Sequence, residues 1–433
     1  MARDGEAEIT RRGLMSGPAG ALVAAGLPGI AMAGAASEGA GGGGGVAPTI
    51  FPYLADLQAA ADQIADTWRP NDPQYRVDIY RQILMNLSYS YFAYFHADAE
   101  HPDWAPLWNN VFTDQPNPDD IYLYTPLRGD LTYRVSGNRG TCAYLIFNAR
   151  KGSVGMVDDR SEVTHHRTHD QNTLGLELGE DFEVIFSAKR PEGYTGKWAE
   201  IAPEANAMVV RFRSIDWAKE RDPVISIECL DKVPLKPRLS QAETLARIQE
   251  MCKLPGRYNK AFFELQNVVK RTVGVNAFMP QNYGGGMSDQ VYLPAVFELE
   301  DGEALIIETE LPKVRPYWNF QLDDPYFNAV EFVYRRASLN ASDAHIDSDG
   351  RLRMVVSLED AGVPNWLDPG GFKQGTIYGR WLHCDSSPLP TIKRVPLAQV
   401  RKHLPADTPV VSADERAAFL RERVRAYQRR RRW

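Results

Sequence analysis

Two hydrophobic periods divide this chain. Leu54, Leu57, Ile64 and Trp68 recur at helical spacing, which predicts an amphipathic helix over residues 55–68. A second helix opens at Asp72-Pro73, where a capping side chain precedes proline at the first helical position. It carries the stripe Val77, Tyr80, Leu84, Leu87, Tyr91 and Phe95, whose aromatic and aliphatic side chains are expected in a core. The Pro- and Asp-rich segment 102–120 ends this helical region.

From Ile121 the period falls to two. "IYLYTPLRGDLTYRVSG" predicts two strands joined near Gly129-Asp130, and "TCAYLIFNAR", "FEVIFSAKR", "AMVVRFRSIDW" and "PVISIECLD" continue the series. Short strands bounded by Gly, Pro, Asn or Asp favour a β-sandwich. A proline-spaced hinge, Pro234 to Pro237, leads into a helical insert. One helix there opens on the capping box Ser240 and Glu243, and "AFFELQNVVKRTVG" supplies another that ends at Gly274. Strands then resume, with hairpin signatures at Asp301-Gly302 and Asp349-Gly350. A last capping box, Ser412 and Glu415, opens a C-terminal helix whose basic end, Arg429 to Arg432, is expected to be solvated and to complement the helix dipole. The predicted fold class is mainly β with α additions. It comprises a helical region 49–120, a first sandwich 121–236, a helical insert 237–290, a second sandwich 291–385 and a C-terminal extension with a helix 386–433.

Composition narrows the function. A chain of 433 residues exceeds one ordinary core and fits two domains, or one elaborate one. With 44% hydrophobic and 24% charged residues it reads as a globular protein rather than a disordered or fibrous one. A net charge of −7 argues against nucleic acid or an anionic membrane as partner, since such binding rests on clustered Lys and Arg. The expected partner is a small molecule or another protein. The N-terminus differs in kind: Thr10-Arg11-Arg12-Gly13-Leu14-Met15 leads into a mildly hydrophobic Ala/Gly-rich run, with Ala31-Met32-Ala33 as a small-residue cleavage site. This pattern resembles a twin-arginine signal. Residues 1–48 are therefore expected to be a signal peptide and Gly-rich tether, the twin-arginine export machinery to be a partner, and the mature protein to be periplasmic. No other run reaches the roughly 18 apolar residues of a membrane span, so none is expected. Cys142, Cys229, Cys252 and Cys384 form no C-x-x-C pair, and an oxidising compartment would permit a disulfide between two of them.

The block from Arg315 to Trp381 contains Trp318 and Gln321 in a W-x-x-Q strand, an S-L-N at 338–340, a D-x-D-G turn, the N-W-L of Asn365-Trp366-Leu367 and an arginine strand around Arg380. It resembles the C-terminal domain catalogued as domain of unknown function 1214. Upstream, "NPDDIYLYTPLRGDLTYRVSGNRGT" resembles the strand pair that precedes it in such proteins, and "FEVIFSAKRP" and "DWAKERDP" resemble its usual companion, catalogued as 1254. The resemblance implies tandem jelly-roll-like sandwiches with helical additions, in many cases exported, and no established reaction.

Candidate chemistry is sparse. "THHRTHDQ" brings His165, His166 and His169 close in sequence, in what reads as a charged inter-strand loop. A metal site there is one alternative, although no cofactor is otherwise expected. No nucleophile elbow, P-loop or dinucleotide fingerprint is present. On "YWNFQLDDP" alternation places Trp318, Phe320 and Leu322 on one face and Asn319, Gln321 and Asp323 on the other. Carboxylates, amides and aromatic faces together suit a polar ring-bearing, carbohydrate-like ligand. The expectation is a hydrolase- or lyase-type enzyme with Asp368 and Glu331 as acid and base and His345 as a further proton carrier. Trp318 and Trp366 would supply stacking faces, and Gln321, Asn340, Asn365 and Arg380 would orient polar groups. A non-catalytic ligand-binding or cell-envelope interaction protein is the alternative from a different class.

Overall fold

Among the described residues, alternating side chains sort sixteen strands into four sheets. The computed structural model describes residues 51–65, 72–106, 108, 112–280 and 290–430. The twin-arginine segment lies outside these residues. In chain order the first eight strands are β1 (Asp120–Pro126), β2 (Tyr133–Asn138), β3 (Tyr144–Lys151), β4 (Thr164–Asp170), β5 (Asp181–Ser187), β6 (Lys197–Glu200), β7 (Ala207–Arg213) and β8 (Val224–Cys229). They form sheets ordered β1-β7-β3-β4 and β6-β5-β2-β8. The next eight are β9 (Gln290–Glu298), β10 (Glu303–Thr309), β11 (Tyr317–Asp323), β12 (Ser338–Asn340), β13 (Leu352–Ser357), β14 (Trp366–Leu367), β15 (Gln374–Leu382) and β16 (Thr391–Pro396). Their sheets run β12-β11-β15-β9 and β14-β13-β10-β16. The protein is thus mainly β, with two β-sandwiches and helical additions.

Within each sandwich the facing apolar sides interlock. Leu123, Phe147 and Val210 meet Val135, Val184 and Phe186 in the first; Trp318, Phe320 and Trp381 meet Leu305, Met354 and Val356 in the second. In β15 a Cβ at Gly379 would run into the Phe320 ring opposite it, so only glycine lets this aromatic cluster close.

Several local expectations change in three dimensions. Two strands, β1 and β2, flank Gly129-Asp130 as expected, but the strands flanking Asp301-Gly302 and Asp349-Gly350 are not hairpin pairs: β9 and β10, like β12 and β13, belong to different sheets. The turns form, with Gly302 at φ 74°, but they are corners at which the chain crosses the sandwich. The second sandwich also extends past residue 385, because β16 pairs with β10. Thr164–Asp170 is a strand rather than a loop. The edge of β3 supplies its backbone partners, and cross-strand pairing overrides its polar composition.

The helices are α1 (Phe51–Ile64), α2 (Pro73–Tyr91), continued by one π turn Phe92–His96, α3 (Gln241–Val273) and α4 (Ala413–Arg430). The insert is one helix, not two. Pro255 lacks a donor and costs about 3 kcal/mol in a helix interior, yet Cys252, Leu254, Tyr258, Phe262 and Leu265 bury a continuous face across it. In α2 the expected stripe turns outward: Val77, Tyr80, Leu84 and Tyr91 are exposed, whereas Tyr75, Ile79, Ile83 and Tyr89 are buried. Polar bonds select that face, because Gln82 Oε1 accepts from Asn328 at 2.7 Å and Asn86 Oδ1 accepts from Thr113 at 3.1 Å.

The C-terminal helix departs furthest from expectation. Arg416, Arg423 and Arg430, spaced by seven residues, are all buried. Arg416 donates to Asp360 and Val363, Arg423 to the Phe332 carbonyl and Ser338, and Arg430 to Asp222 and the carbonyls of Asp119 and Phe212. Arg430 is therefore a tie to the first sandwich, not a solvated helix end. All four cysteines are free thiols.

Candidate functional site

In the sheets β1-β7-β3-β4 and β12-β11-β15-β9, strands β1, β7, β11 and β15 are buried on both faces. Each packs one face into its own sandwich, and the other faces meet in a seam. β7 alternates Met208, Val210 and Phe212 inward with Val209, Arg211 and Arg213 toward the seam. β11 alternates Trp318, Phe320 and Leu322 inward with Tyr317, Asn319, Gln321 and Asp323 toward it, as its sequence predicts.

At the centre of the seam Arg213 and Asp120 form an ion pair, and neutral donors hold Asp119. Arg213 grips Asp120 bidentately at 2.6 and 2.7 Å, reaches Gln290 at 3.0 Å and lies 4.1 Å from the Tyr317 ring centroid. Burial opposes ionisation of Asp120, but Arg213 more than offsets it and holds the carboxyl below its usual range. Asp119 accepts from Tyr317 at 2.7 Å, Asn340 at 2.8 Å and the Trp217 indole at 2.9 Å. Burial still pushes its carboxyl up to about 6.

Toward one end the pairing stops. Arg380 donates to Gln321 at 2.6 Å and Asn319 at 3.3 Å, and the Gln321 amide donates in turn to Asp323 at 2.6 Å. Arg380 and Asp323 are thus bridged by an amide rather than directly paired. Burial raises the Asp323 carboxyl to about 7, against the lowering influence of Gln321 and Arg380. The Arg380 guanidinium lies 5.6 Å from the Tyr378 ring centroid and 5.9 Å from that of Tyr292. Across the seam Arg211 sits 5.4 Å from Tyr122. Among the described residues, neither Arg211 nor Arg380 forms an ion pair with a carboxylate. Arg211 and Tyr292 are half-buried and mark the rim of the seam. Guanidinium groups beside flat aromatic faces can bind the acid group and the ring of one small molecule together.

The residues expected from sequence divide into two groups. Gln321, Asn340 and Arg380 lie in the seam. Asn340 also lines a cleft of about 370 Å³ with Trp217, Asp343 and Arg423, beneath α4. The others lie in a different setting. Asp368 accepts from Arg335 at 2.7 Å and from the Gly370 amide at 2.8 Å, which makes it an ion-paired turn residue. Glu331 accepts from the amides of Val333 and Tyr334. Asn365 ties His345 to β13 through three hydrogen bonds, and the His345 imidazole lies 3.6 Å from Asp347. The Trp366 indole donates to Ser357 in a small apolar cluster on the outer face of β13 and β10, and Trp318 is sandwich core. His169 faces Phe186, with its Nε2 2.9 Å from the Glu200 carbonyl, and burial lowers its pKa. The side chains of His165 and His166 lie outside the described ones. Among the described residues, no three His, Cys, Asp or Glu side chains group as metal ligands.

Sequence reasoning missed Arg211, Tyr122, Tyr292 and Tyr378. The available signal was "IYLYTP" beside "AMVVRFR": strands with large side chains at both parities are buried on both faces, so Arg211 and Arg213 had to enter an interface.

No family model matches the chain, and no curated protein matches it significantly. Among solved structures it is similar to an uncharacterised protein from Burkholderia cenocepacia. That match has 25% identity, covers 80% of this chain and 96% of that one, and has a TM-score of 0.74. It is also matched to the VPA0106 protein from Vibrio parahaemolyticus at 12% identity, over 80% of this chain and all of that one, with a TM-score of 0.43.

Proposed function

We propose that the seam between the sandwiches binds a small ring-bearing carboxylate, of the sugar-acid or aromatic-acid class. The observation that carries this reading is the pair Arg211 and Arg380, two cations that form no direct ion pair with a carboxylate among the described residues, set beside the rings of Tyr122, Tyr292 and Tyr378. Arg380 is buried on amide oxygens, with Asp120 and Asp323 acting on it only through their fields, and an anionic ligand would give it a direct partner. Asp323, raised to about 7, favours a second reading in which the bound ligand is turned over by acid–base chemistry of hydrolase or lyase type. Asp323 then takes the proton-carrying role that the sequence suggested for Asp368 and Glu331. The paired Arg11 and Arg12 support export of the folded protein, and the block 315–381 supports kinship with the 1214-type domains.

Calorimetric titration with glucuronate and benzoate, against methyl glucoside and benzamide as neutral counterparts, tests the reading. An acid that binds while its neutral counterpart does not supports it. Equal binding, or none in either pair, removes it.

A further inference from the structure

The seam continues past its centre. From Arg380 a row of packed rings runs through Tyr378, Phe327, Phe262, Tyr258 and Tyr89, with successive ring centroids 5.7, 4.6, 4.4 and 6.1 Å apart. From Arg211 a second row runs through Tyr122 and Trp108, whose centroids are 5.1 Å apart, to Arg150, whose guanidinium lies 5.5 Å from the Trp108 ring. Both rows belong to one buried aromatic cluster, and Tyr89 at the end of the first acts electrostatically on Arg150, which lies at the far end of β3 on its seam face.

Arg150 is 4% exposed, yet among the described residues the one hydrogen bond of its guanidinium is to Ser153 Oγ at 2.8 Å. Its Nε, the Trp108 indole Nε1 and the Tyr89 hydroxyl are buried without an acceptor among the described residues. Such orphaned donors are uncommon in a folded interior. Burial and the nearby charge of Arg211 bring the Arg150 pKa down to about 10, while Asp114 and the tyrosines act in the other direction. Asp114 is the acidic group whose field reaches Arg150, Tyr89 and Tyr258. Ser153 also lines a cavity of about 300 Å³, with Tyr94, Tyr124, Met156, Asn206 and Arg247, so this end of the seam adjoins open volume.

We infer that Arg150, with the Trp108 indole and the Tyr89 hydroxyl, forms a second oxyanion subsite, so that the seam takes a ring-bearing ligand with two acid groups. This rests on the ligand-binding reading of the Arg211 and Arg380 end and adds a requirement at the opposite end. A guanidinium edge and two neutral donors match a carboxylate or a phosphate oxyanion, and each charge-assisted bond favours the diacid over the monoacid.

The test compares benzoate with terephthalate, and glucuronate with glucuronate 1-phosphate, by calorimetry on the intact protein. In the pair whose monoacid binds, the diacid is expected to bind about tenfold more tightly, and Arg150→Gln to weaken the diacid about tenfold more than the monoacid. Arg150→Lys, which keeps the charge, is expected to retain part of the advantage, and near-ultraviolet circular dichroism confirms the fold of each variant. Equal affinity for monoacid and diacid overturns the inference, as does equal weakening of both by Arg150→Gln. A diacid that binds through Arg150 when neither monoacid binds supports the subsite and removes the reading at the Arg211 and Arg380 end. Binding of none of the four acids removes both.

Discussion

Arg213 and Asp120 form a two-point ion pair at 2.6 and 2.7 Å with neither side chain more than 2% exposed. The pair lies within the inner sheet of the first sandwich, while Tyr317 of the second covers the guanidinium. Removing one partner strands the other charge in the interior. Asp120→Asn is therefore expected to destabilise the fold by about 3–5 kcal/mol, and Asp120→Asn with Arg213→Met by less than the sum of the single changes. Urea denaturation of the four proteins in this cycle measures the coupling.

Asp323 makes stability pH-dependent in a definite direction. Its folded-state pKa, about 7, lies above that of an unfolded aspartate, so the folded protein retains a proton that the unfolded chain releases. The resulting stabilisation is complete below about pH 4 and is lost as pH rises through about 7. Asp323→Asn removes the titration while leaving an oxygen to accept from Gln321 or Thr376. Its melting temperature is expected to fall less between pH 5 and pH 8 than that of the unmodified protein. Parallel melting curves for the two would refute this.

The buried arginines of α4 make the C-terminus part of the fold. Arg430 donates to Asp222 at 3.0 Å with both side chains buried, whereas Arg425 is exposed. Arg430→Met is expected to cost about 3–5 kcal/mol, and Arg425→Ala to change stability by less than about 0.5 kcal/mol. Thermal unfolding of the two variants provides the comparison.

Asp368 and Glu331 serve local structure in this fold. Asp368→Asn loses its ion pair with the half-exposed Arg335 and is expected to cost at most about 1 kcal/mol. Neither Asp368→Asn nor Glu331→Gln is expected to weaken ligand affinity. A loss of binding or turnover confined to these variants would restore them to the site.

Alternation within a single strand was legible in the sequence, and so were helix caps. The two faces of "YWNFQLD" divide as predicted, Asp72, Ser240 and Gly274 occupy the predicted caps, and Ser412 with Glu415 opens α4. Pairing between distant strands was not legible. Asp301-Gly302 has turn chemistry whether the flanking strands pair with each other or cross between sheets, and only the packing of the whole sandwich decides. The site was partly legible for the same reason. Gln321 and Arg380 lie on the polar face of paired strands, while their partners Arg211 and Tyr122 come from a sheet more than a hundred residues away in sequence. Asp368 attracted attention because carboxylates before Pro-Gly look alike whether they catalyse a reaction or initiate a turn. The arginines at 416, 423 and 430 were visible at their spacing of seven, but a basic helix end and a buried arginine ladder share one composition.

The most direct measurement is the dissociation constant of glucuronate and of benzoate for the unmodified protein, Arg380→Gln and Arg211→Gln, at pH 6 and pH 8. The seam is predicted to bind at least one of the acids. Each variant is predicted to weaken binding about tenfold or more, with Arg211→Gln, at the half-buried rim, leaving the fold intact. Affinity is predicted to be higher at pH 6, because protonated Asp323 leaves Arg380 to the ligand, whereas ionised Asp323 competes for it. Binding unchanged in both variants and equal at the two pH values would contradict the account.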